Sequence, residues 1–369
     1  MTFSSLFKPL QLGPYQLAHR VAMAPLTRMR AERDSFAPRP LNAEYYGQRA
    51  SKGGLIVAEA SPVVSQGRGN PATPGIYSEA QIAGWRKVVD AVHAKGGIIF
   101  LQLWHVGRIS HVDLQANGGA PVAPSAIRAK GKTFVNGTFA DVSEPRALEL
   151  SEIPGIIDDF KRATKNALAA GFDGVEIHGA NGYLIDQFLR SGTNHRSDAY
   201  GGSIENRARL LLEVTQAAID VWGANRVGVR LSPYGIANDS GEPDPMPLYT
   251  HVVKAFDKLG LAYLHFIEPR SSGSGRAEVN WQNVPSAMVL FRPLYSGILM
   301  TAGGFTGESA SAAIADGHAD IIAFGRIFIS NPDLPHRLEH GYPITPYNRA
   351  TFYGGEEKGY TDYPFHQAG

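Results

Sequence analysis

Three polar residues stand close together in the run His178-Gly179-Ala180-Asn181-Gly182-Tyr183. An imidazole and a carboxamide three residues apart can aim two hydrogen-bond donors at one oxygen if the chain turns helical after His178. Two donors on one oxygen suit a reaction that builds negative charge there, as an enolate or a nitronate does. Tyr183 follows with a phenol whose ordinary pKa is about 10, so it holds a proton at neutral pH and can deliver it. A metal-binding role for His178 finds no support, because no HxH, HExxH or adjacent carboxylate completes a ligand set around it.

Other polar residues fall where short apolar runs end. Pro25, Thr27 and Arg28 follow one run; Gln102, Trp104 and His105 close another; Arg230 and Gly325-Arg326 close two more. Each has a plain alternative: Gln102 as a satisfied core amide, Trp104 as a plug, Arg230 as half of a buried ion pair. If the runs are parallel strands of one barrel, however, all these residues meet on one face, the face that carries the chemistry in such folds. The bare backbone of Ala302-Gly303-Gly304-Phe305-Thr306 and the guanidinium of Arg326 suit a phosphate, which barrels often bind after their last two strands. Glycines alone make only tight turns; Arg326 beside them points to an anion.

The elements needed to bring these residues together are legible. Eight β-branched, apolar runs recur: 21–24, 55–60, 98–103, 174–178, 227–231, 263–267, 297–301 and 321–324. Runs apolar on both faces are what a parallel sheet buried inside and out requires. Between them lie amphipathic helices. Ile82, Trp85, Val88, Val89 and Val92 repeat at helical spacing up to Lys95-Gly96-Gly97; further helices are predicted over 203–222, over 247–259, and after Asn331-Pro332, with Asn as cap and Pro in the first turn. The expected architecture is a single (β/α)8 TIM barrel over residues 1–369, with a hairpin in the first 20 residues closing its bottom. A long insertion at about 107–150, after the third strand, would roof the catalytic face.

Composition narrows the partners. A formal net charge of +1 and the lack of any Lys/Arg run argue against nucleic acid and anionic membranes, leaving small molecules. No apolar stretch is long enough for a membrane span, and Met1 to Gln11 lacks a secretory pattern, so a cytoplasmic protein is expected. The glycosylation-like Asn136-Gly137-Thr138 and Asn238-Asp239-Ser240 then read as ordinary loops. Cysteine is absent, which removes thiolate nucleophiles and cysteine-ligated iron–sulfur clusters. Neither a GxGxxG after a strand, a Walker loop nor a GxSxG elbow occurs.

Over essentially its whole length the chain resembles the Old Yellow Enzyme family of FMN-dependent ene-reductases, especially its bacterial branch of pentaerythritol tetranitrate and N-ethylmaleimide reductases. The resemblance rests on Leu12-Gly13 with His19-Arg20, on Met23-Ala24-Pro25-Leu26-Thr27-Arg28, and on Gln102-Leu103-Trp104-His105-Val106-Gly107-Arg108. It continues through Gly171-Phe172-Asp173-Gly174-Val175-Glu176-Ile177-His178, Tyr200-Gly201-Gly202-Ser203-Ile204-Glu205-Asn206-Arg207, Phe324-Gly325-Arg326 and Tyr353-Gly354-Gly355. It implies that Thr27 hydrogen-bonds the flavin carbonyl beside N5, that Gln102 and Arg230 hold the pyrimidine end, and that Pro25 and Ala60 touch the ring through their backbone. Gly303, Gly304, Gly325 and Arg326 would take the phosphate. His178 and Asn181 would grip a carbonyl or nitro oxygen, Trp104 and Tyr353 would shape the pocket, and Tyr183 would be the acid.

The implied reaction is ping-pong: NADPH or NADH delivers hydride to FMN and leaves, and an electron-poor alkene takes its place, in a monomer or homodimer. Thr27 and the missing cysteines separate the chain from iron–sulfur dienoyl-CoA reductases and from the subgroup with cysteine in place of Thr27. Three features depart from close relatives or vary among them: Asn70 replaces a pocket tyrosine, some relatives have His at Asn181, and Pro269 to Arg292 matches poorly. Rival flavin or phosphate barrels would need a histidine base with carboxylate-binding arginines, or an interior lysine at a strand end. Neither is found. A ligand-binding protein without turnover is the alternative from outside the enzymes, and intact His178, Asn181 and Tyr183 argue against it.

Overall fold

The structure is a computed structural model and describes residues 3–269 and 285–367. Eight parallel strands close into a barrel in chain order: β1 (Val21–Met23), β2 (Leu55–Pro62), β3 (Ile98–Trp104), β4 (Gly174–Gly179), β5 (Val227–Leu231), β6 (Tyr263–Ile267), β7 (Leu299–Ala302) and β8 (Ile321–Phe324). Side chains alternate across each strand, so each contributes to two cores. Outward-facing Ile56, Ile99, Leu101, Val175, Ile177, Val229 and Leu264 pack beneath the surrounding helices. Inward-facing Leu55, Val57, Ile98, Phe100, Met300 and Ile321 fill the barrel's lower half.

Leu12 and Leu17 join that inner core. They come from an antiparallel hairpin, Leu10–Leu12 with Tyr15–Leu17, which plugs the bottom as expected. Its turn needs Gly13: φ is +52°, and an added Cβ would stand 2.2 Å from the Asn225 carbonyl oxygen.

Strands β5, β6 and β8 have the expected limits. Strand β7 starts at Leu299 rather than Gly297, because the Gly297 carbonyl accepts a hydrogen bond from Arg292 Nη2 at 2.8 Å and belongs to the preceding turn. Strand β2 extends to Pro62 across a register shift against β3 between Ala58 and Ser61. Such a bulge bends a strand end and re-aims its residues; Ala60 lies within it.

The helix Glu79–His93 is capped by Ser78, whose hydroxyl accepts from the Gln81 amide, and it buries Ile82, Trp85, Val88, Val89 and Val92. Ser203 caps Ile204–Trp222 in the same way. The predicted 247–259 helix is Pro245–Phe256. The helix expected to start at Asn331-Pro332 instead covers Leu334–His340, with Asp333 at its cap and Pro335 in its first turn. Asn331 does other work: its Nδ2 donates to the carbonyls of Ile327 at 2.8 Å and Thr345 at 3.0 Å, tying the end of the barrel to the C-terminal strap, the segment that follows the helix Leu334–His340.

The insertion carries only short elements, among them a hairpin of Lys132–Val135 and Thr138–Asp141. Asn136 (φ +51°) and Gly137 (φ +81°) make its two-residue turn, as paired left-handed residues do. Among the described residues, no helix is long and apolar enough to cross a membrane. The segment from Pro269 to Arg292 lies mostly outside the described residues; within them it contributes a short helix, Ala287–Phe291.

Candidate active site

The carboxyl ends of the strands open into a cavity of about 1030 Å³, and every residue singled out above for cofactor or substrate lines it. Pro25 and Thr27 follow β1, Ala60 lies in β2, and Gln102 and Trp104 end β3. His178, Asn181 and Tyr183 come from β4 and its loop, and Arg230 from β5. Gly303 and Gly304 follow β7, Gly325 and Arg326 follow β8, and Tyr353 reaches in from the C-terminal strap. Asn70 is in the wall as well, and so are Thr133, Phe134 and Phe139 of the insertion hairpin, which therefore roofs the cavity.

Two strand-end residues point elsewhere. Arg28 is buried and donates to the carbonyls of Phe352 at 2.8 Å and Gly359 at 2.7 Å and to the Tyr45 hydroxyl at 2.8 Å, so it fastens the strap rather than facing a ligand. His105 turns its Nδ1 to the Gly107 amide at 3.1 Å, and burial lowers its pKa to about 3.

The loop after β4 differs from the helical continuation predicted from the spacing. Asn181 (φ +60°) and Gly182 (φ +74°) are both left-handed, and the helix begins only at Leu184. Asparagine and glycine are the residues that bear this conformation. The turn is tightly held. The Asn181 amide donates to Ser232 Oγ at 2.9 Å, Asn238 Nδ2 donates to the Asn181 carbonyl at 2.8 Å, and the Gly182 amide donates to Asp186 Oδ2 at 2.8 Å. Asp186 is itself buried against Arg190 Nε at 2.8 Å. His178, Trp104 and Tyr183 pack ring against ring, with Tyr183 edge-on to Trp104 at 4.8 Å and to His178 at 5.1 Å. Burial, with Arg230 and His265 nearby, holds the His178 pKa well below that of a free imidazole. His178 is therefore neutral at pH 7, able to donate an N–H without bringing a charge.

Two site residues were missed by the sequence reading. Glu176 and His265 lie inside the barrel, one layer below the cavity floor and fully buried. Glu176 accepts from Gln102 Nε2 at 2.7 Å and from His265 Nδ1 at 2.8 Å. Gln102 thus commits one N–H to the carboxylate and keeps its carbonyl oxygen and its second N–H for other partners. Burial, helped by Arg230, lowers the His265 pKa against the pull of Glu176, so the pair is a neutral imidazole donating to a carboxylate. Period-two alternation with His178 is the sequence signal that Glu176 also faces inward.

Several observations test whether FMN fits. Buried His178 Nδ1, Arg230 Nε and Trp104 Nε1 find no hydrogen-bond partner among the described residues, a costly arrangement unless a ligand supplies one. Gly303 (φ +125°) and Gly304 (φ +66°) leave backbone without side chains where the phosphate was expected. Arg326, after the neighbouring strand, lines the same cavity, its Nη1 donating to the Tyr347 hydroxyl at 3.1 Å. The residues present fit the group.

Comparison with known proteins agrees. Residues 5–344 match the model of the NADH:flavin oxidoreductase / NADH oxidase family. A 12-oxophytodienoate reductase of Oryza sativa subsp. japonica is 46% identical over 363 residues, covering 98% of this chain and 93% of the relative. Morphinone reductase, solved in complex with tetrahydroNAD, superposes with a TM-score of 0.91 at 48% identity, covering 98% of each chain. The Old Yellow Enzyme homologue of Zymomonas mobilis gives 0.92 at 43% identity, covering 97% of this chain and 99% of the other. With the match running from the hairpin plug to the strap, the chain belongs to the NADH:flavin oxidoreductase / NADH oxidase family, that of the Old Yellow Enzymes, as an FMN-dependent oxidoreductase fed by a nicotinamide nucleotide.

Proposed function

We propose that this chain reduces the carbon–carbon double bond of α,β-unsaturated carbonyl, imide or nitro compounds in this one cavity, with residues 1–369 acting as one catalytic domain in the cytoplasm. FMN bound there would supply the redox chemistry, hydride transfer between NADPH or NADH and the β-carbon of the alkene. Thr27, Gln102 and Arg230 would hold its polar ring edge, Pro25 and Ala60 would touch the ring through their backbone, and Gly303, Gly304, Gly325 and Arg326 would take its phosphate. Arg230 opposes negative charge at the pyrimidine end.

His178 and Asn181 grip the substrate oxygen. Two fixed donors there stabilise the charge that develops as the β-carbon is reduced. Tyr183, beside them, delivers its proton to the α-carbon. Trp104 and Tyr353 bound the pocket. The two substrates use the same space in turn, so the nicotinamide nucleotide needs no fold of its own. The relatives' names, 12-oxophytodienoate and morphinone reductase, denote ketone-bearing substrates, and the tetrahydroNAD complex of the latter supports a nicotinamide nucleotide as hydride donor.

The observation that carries this reading is the meeting of neutral His178, Asn181 and Tyr183 in a cavity that Gly303, Gly304 and Arg326 also line. Tyr183→Phe tests it by separating the half-reactions. Stopped-flow reduction of bound flavin by NADPH should keep its rate, while reoxidation by an enone falls by roughly 10²-fold or more. Equal slowing of both halves would remove Tyr183 as the acid.

A further inference from the structure

On the helix Leu334–His340, which contributes no residue to the cavity lining, His336, Glu339 and His340 present one ligand atom each within 4.8 Å of one another. We propose that they form a binding site for a divalent transition metal ion of the zinc class.

Spacing i, i+3, i+4 puts all three side chains on one helical face, so the backbone orders them before the ion arrives. Both imidazoles are exposed and Glu339 is half-buried, leaving the ion a direct entry path. His340 is already oriented. Its Nδ1 lies 3.0 Å from the His336 carbonyl oxygen, an acceptor only, so Nδ1 carries the proton and the lone pair stays on Nε2. A histidine whose second nitrogen donates to a backbone carbonyl is the usual form of a metal ligand. Tyr342 packs against both rings, stacked on His340 at 5.3 Å and edge-on to His336 at 5.4 Å.

The helix beneath them is fixed as well. Arg337 bonds Asp333 at 2.7 Å and the carbonyls of Pro343 at 2.7 Å and Pro364 at 2.9 Å. Two imidazoles and one carboxylate favour Zn²⁺, Co²⁺, Ni²⁺ or Cu²⁺ over Mg²⁺ or Ca²⁺, which want oxygen ligands alone. Three protein ligands leave coordination positions for water. In sequence the site reads His-x-x-Glu-His, a spacing distinct from HxH and HExxH.

The test titrates the untagged, FMN-loaded full chain with Zn²⁺ by calorimetry and with Co²⁺ by visible absorption. One equivalent of Zn²⁺ should bind, Tm should rise with Zn²⁺ concentration, and Co²⁺ should show imidazole-ligated d–d bands. His336→Ala and His340→Ala should each weaken binding at least tenfold and Glu339→Gln less, with enone reduction unchanged as the control for folding. Binding of the same strength and stoichiometry in the His336→Ala/His340→Ala double variant, or no binding to the parent chain, would overturn the site. Should the alanine variants not fold, His336→Asn and His340→Asn carry the same comparison.

Discussion

The chemistry of single side chains here is set by what each has already spent. Gln102 gives one N–H to Glu176, so what it has left for the cavity is its carbonyl oxygen and a second N–H. Arg230 shares the barrel interior with that same carboxylate, which offsets part of its charge. Glu176→Gln should therefore raise the two-electron potential of bound FMN, because an unopposed Arg230 favours the reduced, negatively charged ring. A tenfold shift in that equilibrium is about 30 mV, and shifts of that order are expected from losing one buried charge. Glu176→Ala should in addition weaken FMN binding, since Gln102 loses its tether. Spectroelectrochemical titration and FMN dissociation constants read the two effects; an unchanged potential and affinity in both variants would show that Glu176 only fills space.

At the level of elements, the loop after β4 decides whether the donors meet. Two consecutive left-handed residues reverse the chain sharply, and Asp186 and Ser232 hold the turn from below. Gly182→Ala would force a Cβ to within 2.6 Å of the Ala237 carbonyl oxygen at φ +74°. We expect it to cost roughly 1–3 kcal/mol of stability and to lower enone turnover by more than flavin reduction, because Asn181 and Tyr183 flank the displaced residue. Urea unfolding and separate half-reaction kinetics provide the check. The insertion hairpin works at the same scale: it places Phe134 and Phe139 over the opening, where the bare repeat of strand and helix offers no roof.

For the whole molecule, the C-terminal strap is bound to the barrel through a buried cluster of Arg28, Arg30, Arg49, Tyr45 and Tyr360, with Glu59 among them. Burial raises the Glu59 pKa from 4.5 to about 7, although the Arg28 amide and guanidinium pull the other way. Between those two values the native state keeps a proton that the unfolded chain has released. Stability should be full at the acid end of the window and fall as pH rises through it. Glu59→Gln removes this dependence, so its Tm should vary less between pH 4.5 and 7, and above pH 7 it should match or exceed the parent by up to about 3 kcal/mol. Thermal unfolding across that range decides; a parallel pH profile in both proteins would show that Glu59 does not titrate there.

Much of this was written locally in the chain. Runs apolar on both faces specify buried parallel strands, so the barrel, its strand ends and hence Thr27, Gln102, His178, Arg230 and Arg326 could be assigned before any coordinates. Local pattern also found the hairpin plug and most helices, because caps and periodicity act over a few residues. Tertiary structure decided what depends on partners distant in sequence. That Asn331 fastens the strap instead of capping a helix, that Arg28 faces away from the site, and that Glu176 and His265 pair beneath its floor all follow from contacts across the fold. The state of His178 belongs to the same class: its sequence neighbours say nothing of charge, and only enclosure in the barrel beside Arg230 makes it a neutral donor.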